Sequence, residues 1–443
     1  MDIPLEILDR EVARAAGESA AARARLARGD VEDAANPLAA HRRVSERATW
    51  LEVGAQGGEL AAPLQAWIYA LTLDRVLWPD TVRLAVAWHA PSITVAEPGI
   101  AALTESPRAL LVRLLREPDA SRRRIFAGAL ARGAGAVHDA ARILADRRVE
   151  AARILGAAPD AVEILVDPPA AVAAAAQRLL ADTAPLVERG ERWPSVLAAS
   201  VGRAFGEGWP ARLSPRWLFE LFRRGPLTEG LRLAVAPLPA ALGASSFARA
   251  LGAFGAALAD ADGPRGPFAL AGAPFDLRRP RRAALFASLA ADPIFAVRAL
   301  GLGRGRARDQ GRGLARALLV SLRLDAARVL CRGALSLPAG ELAAHFEEHT
   351  AAALGAPLPP SLAGVVPRLG PDDPARFAGA LLGARDRRAL IEHFDEDWFD
   401  NPHAGRAIRE EDASLPGPGP SRATAAALDA GVTEIVRVLG ELT

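Results

Sequence analysis

The sequence predicts a mainly α-helical protein, a large multi-helix chain with a few short strands. Three observations carry that prediction. Apolar residues recur at helical spacing in one segment after another, alanine supplies much of a 51% apolar fraction, and Gly or Pro punctuates the breaks between periodic runs. At 443 residues the chain has room for two or three average domains or one large helical one. No repeat of fixed period is visible.

Taken in order, residues 5–30 read as one Ala/Arg/Glu helix stopped near Gly29, and a second helix begins around Pro37 and runs through Trp50. Leu60, Leu64, Trp67, Ile68 and Leu71 mark a buried helix over 59–76. The β-formers Val82–Val86 and Ile93–Val95 then predict short strands. Helices follow at 107–117, 121–132 and 136–156, the last closed by Gly156. Ala161–Val166 fits a strand or a helix start broken by Pro168 and Pro169. Helices at 170–188 and 193–206 precede a strand at 231–235. The remaining helices are expected at 246–258, 280–291, 306–334, 339–354, 373–387, 404–411 and 423–442, with Val432, Ile435, Val436 and Leu439 striping the last. The domain reading is a helical body over 1–414, in two lobes at about 1–230 and 231–414. A Pro/Gly linker at 415–422 and a C-terminal helix at 423–443 complete it.

Composition narrows the chemistry. All 54 basic residues are Arg, so no lysine is present for Schiff-base or amine nucleophile chemistry. A net charge of +2 gives no one-sided field for nucleic acid, so no nucleic-acid partner is expected. The single Cys331 excludes an internal disulfide, and its apolar-periodic setting predicts a buried thiol. Met1–Glu6 shows neither a basic start nor a long apolar run, and no window of about twenty residues is free of charge. The expectation is a cytoplasmic protein with no membrane span.

The segment Ser245–Leu258 places Phe247, Ala250, Leu251, Phe254 and Leu258 on one helical face, with serine at its start. Its Leu251-Gly252 core resembles the His-Glu-Leu-Gly-His helix of the thimet oligopeptidase/oligoendopeptidase F family. In that alignment the two zinc-binding His positions hold Arg249 and Ala253, and the Glu position holds Ala250. Arg148–Gly156 resembles that family's "Glu-Ala-Ala-Arg-x-Leu-Gly" helix end, and Glu396–Gly405 its "Glu-Asp-Trp-Phe-x-Asn-Pro-x-Ala-Gly" segment. The resemblance implies a helical fold with a central cleft and without the family's zinc. From Glu229 to Glu341 no Glu or His intervenes to serve as third ligand, and the only tyrosine is Tyr69.

Other constellations compete. His345-Phe346-Glu347-Glu348-His349 matches the inverted His-x-x-Glu-His zinc motif, so His345, Glu348 and His349 form an alternative metal site. Against it stands a helix whose buried side is Leu342, Phe346 and Leu354, with both His and both Glu facing water. His393–Asp397 with Asp400 and His403 offers ligand-type residues but fits a turn between helices, and Gly301–Arg306 looks like a phosphate-binding loop but, with no strand before it and no Lys after it, fits a flexible helix-to-helix turn. Arg278, Arg279, Arg281 and Arg282, followed by Arg304, Arg306, Arg308 and Arg312, supply guanidinium groups for carboxylates or phosphates if they face the implied cleft. The leading expectation is a non-catalytic, peptidase-like binding protein with no cofactor and a protein or peptide partner. An active metallohydrolase at 345–349 and a helical interaction scaffold docking through 423–442 are the alternatives.

Overall fold

The computed structural model describes residues 4–32, 34–96, 102–187, 190, 192–202, 214–222, 226–228, 244–261, 266–366, 369–414 and 423–442. The strand expected at 231–235 and the linker at 415–422 lie outside the described residues. Among those described, the protein is mainly α, with nineteen α-helices and two two-stranded sheets.

Helix α1, Leu5–Arg28, buries Leu8, Val12, Ala15, Ala22 and Leu26 and stops at Gly29, whose φ of 102° only glycine adopts freely. The second expected helix is instead a turn and a 3₁₀ segment before α2, Arg47–Gln56. Helix α3, Ala61–His89, runs on through Pro79 and absorbs Val82–Val86, which correct from strand to helix. The reason lies partly in a separate segment. Pro79 has no N–H for the Arg75 carbonyl, and the Asn36 side-chain amide donates to that oxygen at 2.9 Å instead. Leu77, Trp78, Leu84 and Ala85 then pack at helical spacing, so burial overrides the strand preference of valine.

Strands β1, Ile93–Val95, and β2, Leu103–Glu105, pair antiparallel with Thr94 opposite Thr104. Helix α4, Pro107–Arg116, is capped by the Ser106 hydroxyl, and α5, Ala120–Gly133, by the Asp119 carboxylate. Helix α6, Gly135–Leu155, ends at Gly156 as expected. Residues 159–167 use both readings of the sequence in turn, as α7, Pro159–Glu163, then β3, Val166–Asp167. Helices α8, Ala171–Asp182, α9, Trp193–Ala199, and α10, Pro215–Phe222, follow.

The second half holds α11, Ser245–Ala261, α12, Phe268–Ala271, α13, Arg278–Ser288, and α14, Pro293–Leu300. It continues with α15, Arg304–Leu330, α16, Ala339–Leu354, α17, Asp373–Phe394, and α18, Pro402–Ser414. Strand β4, Ala423–Thr424, pairs parallel with β3 and leads into α19, Ala425–Leu442. No single helix among the described residues is long and apolar enough to cross a membrane.

Helices α11, α13, α17 and α19 lie side by side, and each contact is made at glycine. Gly255 of α11 meets the Arg282 carbonyl, Gly383 of α17 the Arg281 carbonyl, and Gly431 of α19 the Leu381 carbonyl. A Cβ on Gly383 would fall 2.7 Å from that oxygen, so side chains are excluded from these seams. The largest core cluster draws from Leu84 through Val432 and crosses residue 230, so the expected lobes share one core. Leu428 and Val432 of α19 belong to it. The stripe expected to meet a partner is therefore docked inside the chain. A second cluster gathers Phe222, Phe254, Phe286, Phe295, Trp398 and Phe399, concentrating the scarce aromatics between α11, α13 and α14.

Candidate functional site

The α11–α13–α17 layer floors a cleft of about 1590 Å³, walled by α15, α19 and the 266–277 segment. The α11 face is set by helical spacing: Ala248, Arg249, Gly252, Ala253, Ala256 and Asp260 all line it. Ala283, Ala284 and Ala287 of α13 and Ala380 and Ala384 of α17 continue this small-residue floor. Small side chains keep the floor low, and the same positions let the helices approach closely. The opposite wall is aromatic. Trp67 Nε1 donates to the Gly272 carbonyl at 3.0 Å, and its ring lies 4.9 Å from Phe268. The Asp9 carboxylate accepts from the Phe268 and Ala269 N–H groups at 2.8 and 2.7 Å, so α1 fixes this wall from the far end of the chain.

Charge is arranged in pairs around the rim. Arg387 bonds Asp292 at 2.7 Å, where Asp292 also caps α14, and Arg437 bonds Glu434 at 2.7 Å and Glu441 at 2.6 Å. The first bond ties α17 to the start of α14, the two Arg437 bonds lie within α19, and Arg387 also stands 4.0 Å from Glu434 of α19. Arg279 pairs with Asp260 at 3.7 Å, while desolvation pushes the Asp260 carboxyl above its ordinary range against the opposing pull of Arg279 and Arg278. Arg249 is accessible from the cleft, and its only polar partner among the described residues is Ser246 Oγ at 3.3 Å. Desolvation by the surrounding wall lowers its guanidinium below the usual Arg range.

Of the residues singled out by sequence, Arg249 and Ala253 line this cleft, while Ala250 is 1% exposed and points into the core. Arg278 and Arg279 also line it, Arg278 donating to the Ala271 carbonyl at 3.0 Å. Arg281 and Arg282 do not join them. Arg281 forks onto Asp386 of α17, and buried Arg282 donates to the Ile408 carbonyl of α18 at 3.1 Å. Arg308 reaches the cleft edge, whereas Arg304, Arg306 and Arg312 stand exposed on the first turns of α15.

The inverted zinc motif lies elsewhere, on α16. His345 Nε2 contacts the Leu330 carbonyl at 3.0 Å and the two imidazoles meet edge to face, ring centroids 4.3 Å apart. Both rings are half-buried rather than water-facing, and desolvation lowers His349. Glu347 and Glu348 do face water. Among the described residues, no group of three or more His, Cys, Asp or Glu side chains is placed to hold a metal. Trp398 and Phe399 bury into the aromatic core and Asn401 caps α18, so 395–401 is the expected turn between helices. Gly301, at φ 70°, ends α14 as the expected turn into α15.

Cys331 is fully buried and burial pushes its thiol up to about 12. The thiolate is the reactive species, so the native protein is expected to give no reaction with an aromatic disulfide reagent at pH 8. One equivalent should react in denaturant, and rapid native titration would contradict the buried assignment.

Sequence reasoning missed Asp9, Trp67, Arg387, Glu434 and Arg437. The small-residue spacing of α11 was readable, but Trp67, Arg387, Glu434 and Arg437 reach the cleft, and Asp9 braces its wall, only through packing between distant segments. A scan against protein-family models finds no match for the chain, and a comparison with curated proteins finds none.

Proposed function

We propose that this chain is a non-catalytic binding protein whose cleft holds an extended, peptide-like ligand, on a peptidase-like plan stripped of its zinc chemistry. The observation that carries the reading is the cleft lining. It is long, floored by alanine and glycine and rimmed by charges of both signs, and among the described residues it includes no His, Cys or Tyr. Serines such as Ser245 and Ser288 line it, but among the described lining residues no imidazole stands beside them to raise their nucleophilicity. The positions that resemble the family's two metal-binding His, Arg249 and Ala253, face this space, which supports the alignment of α11 with the zinc helix.

Incubating the full chain with a random pentapeptide pool, with and without added Zn²⁺, tests this reading by mass spectrometry. Peptides retained and recovered uncut are expected under both conditions. Zinc-dependent cleavage lost in a His345→Ala/His349→Ala variant would replace the reading with the metallohydrolase. Absence of any retention would remove the peptide-binding role.

A further inference from the structure

The cleft's cations are not equivalent. Arg279, Arg376, Arg387, Arg388 and Arg437 each already hold a carboxylate of the chain. Arg308 stands on the exposed first turns of α15, where water serves it. Arg249, though exposed as well, differs from the first group in holding no carboxylate among the described residues and from Arg308 in standing on the cleft floor rather than at its edge. It rises from the small-residue floor between Ala248 and Gly252, and its one bond, to Ser246 Oγ at 3.3 Å, leaves the rest of its donors open. A guanidinium with open donors on the floor of a cleft offers an anion a charge-assisted contact that the carboxylate-paired arginines do not.

We infer that Arg249 is the docking point for a carboxylate, with the ligand's chain laid along the α11 face toward Asp260; this rests on the binding role proposed above. Carboxylate is favoured because the planar guanidinium fork matches it with two parallel hydrogen bonds. The floor leading away from Arg249, through Gly252, Ala253 and Ala256, is apolar and flat and suits an extended backbone or alkyl chain. From residue 249 to residue 260 the helix advances ~16 Å at its ~1.5 Å rise per residue. That span takes about five extended residues at ~3.3 Å each. Asp260 at the far end is already paired with Arg279, so the direction is set by the carboxylate at Arg249.

The test compares three probes on the full chain: random pentapeptides as free acids, the same pool as C-terminal amides, and decanoate. Free acids are expected to bind about tenfold more tightly than amides, the size of one charge-assisted contact. Arg249→Gln should abolish that difference and Arg249→Lys should keep part of it. Because Arg249 makes a single local bond, both variants should melt as wild type does, which thermal denaturation checks. Equal binding of acids and amides, or a preference that survives in Arg249→Gln, overturns the inference while leaving peptide binding intact. Decanoate bound through Arg249 with neither peptide pool retained keeps the carboxylate assignment and overturns the peptide reading. No binding of any probe removes both.

Discussion

Glu163→Ala is expected to cost about 3–5 kcal/mol of folding stability, the loss that follows when a buried ion pair is broken from one side. Glu163 is 2% exposed and closes three contacts at once. Its Oε1 accepts from the Tyr69 hydroxyl at 2.8 Å and from Arg148 at 2.5 Å, and its Oε2 from Arg332 at 2.8 Å. The carboxylate thereby joins α3, α6 and α7 to the end of α15. Burial and the adjacent Glu163 charge both raise the Tyr69 phenol, so it stays a neutral donor throughout the working pH range. Without Glu163, Arg148 loses its carboxylate, Arg332 keeps only Asp160 at 3.1 Å, and a buried hydroxyl loses its acceptor. Tyr69→Phe removes one donor and leaves both arginines paired, so it should cost only about 1 kcal/mol. Urea denaturation of the two variants reads this order directly. A Glu163→Ala loss below that of Tyr69→Phe would contradict the account.

Arg323→Met should be comparably destabilising, by about 3 kcal/mol or more, although Arg323 touches no carboxylate among the described residues. The side chain is 1% exposed and donates to the Leu180 carbonyl at 2.9 Å and the Ala353 carbonyl at 2.8 Å. It also reaches the Thr183 hydroxyl and the Ala352 carbonyl. These oxygens belong to the C-terminal ends of α8 and α16, where unpaired carbonyls and the negative end of the helix dipole concentrate. One guanidinium thus closes two helices. Desolvation pushes Arg323 down to about 10, still well above neutrality. Native and unfolded chains both carry the charge from pH 5 to 9, so no proton is exchanged on unfolding and Arg323 adds no pH dependence in that window. Denaturant melts of Arg323→Met at pH 6 and pH 8 should show equal losses. A loss under 1 kcal/mol at both would mean that the α8 and α16 ends find other donors.

Much of the helical order was legible because its signals are local. Ser106, Asp119 and Gly156 sit beside the helices that they start or stop, and the 339–354 helix keeps its expected bounds. Val82–Val86 misled because the remedy for Pro79 comes from Asn36, on a separate segment. The arginine run shows a second limit. Successive residues of an α-helix turn by about 100°, so Arg278, Arg279, Arg281 and Arg282 fan over about 160° of α13, too wide for all four to reach one cleft. Two reached the cleft and two became ties to α17 and α18. The α11 face was readable from its spacing, but its opposite wall, from Trp67 to Glu434, is assembled by tertiary packing that no local pattern encodes.

Amide hydrogen exchange on the full chain, with and without the most strongly retained free-acid pentapeptide, tests the binding cleft most directly. Added protection is expected in 245–261, in the 266–277 wall and at the cleft-facing end of α19, with 339–354 unchanged. Protection confined to 339–354, or none anywhere at saturating peptide, would contradict a ligand held over Arg249.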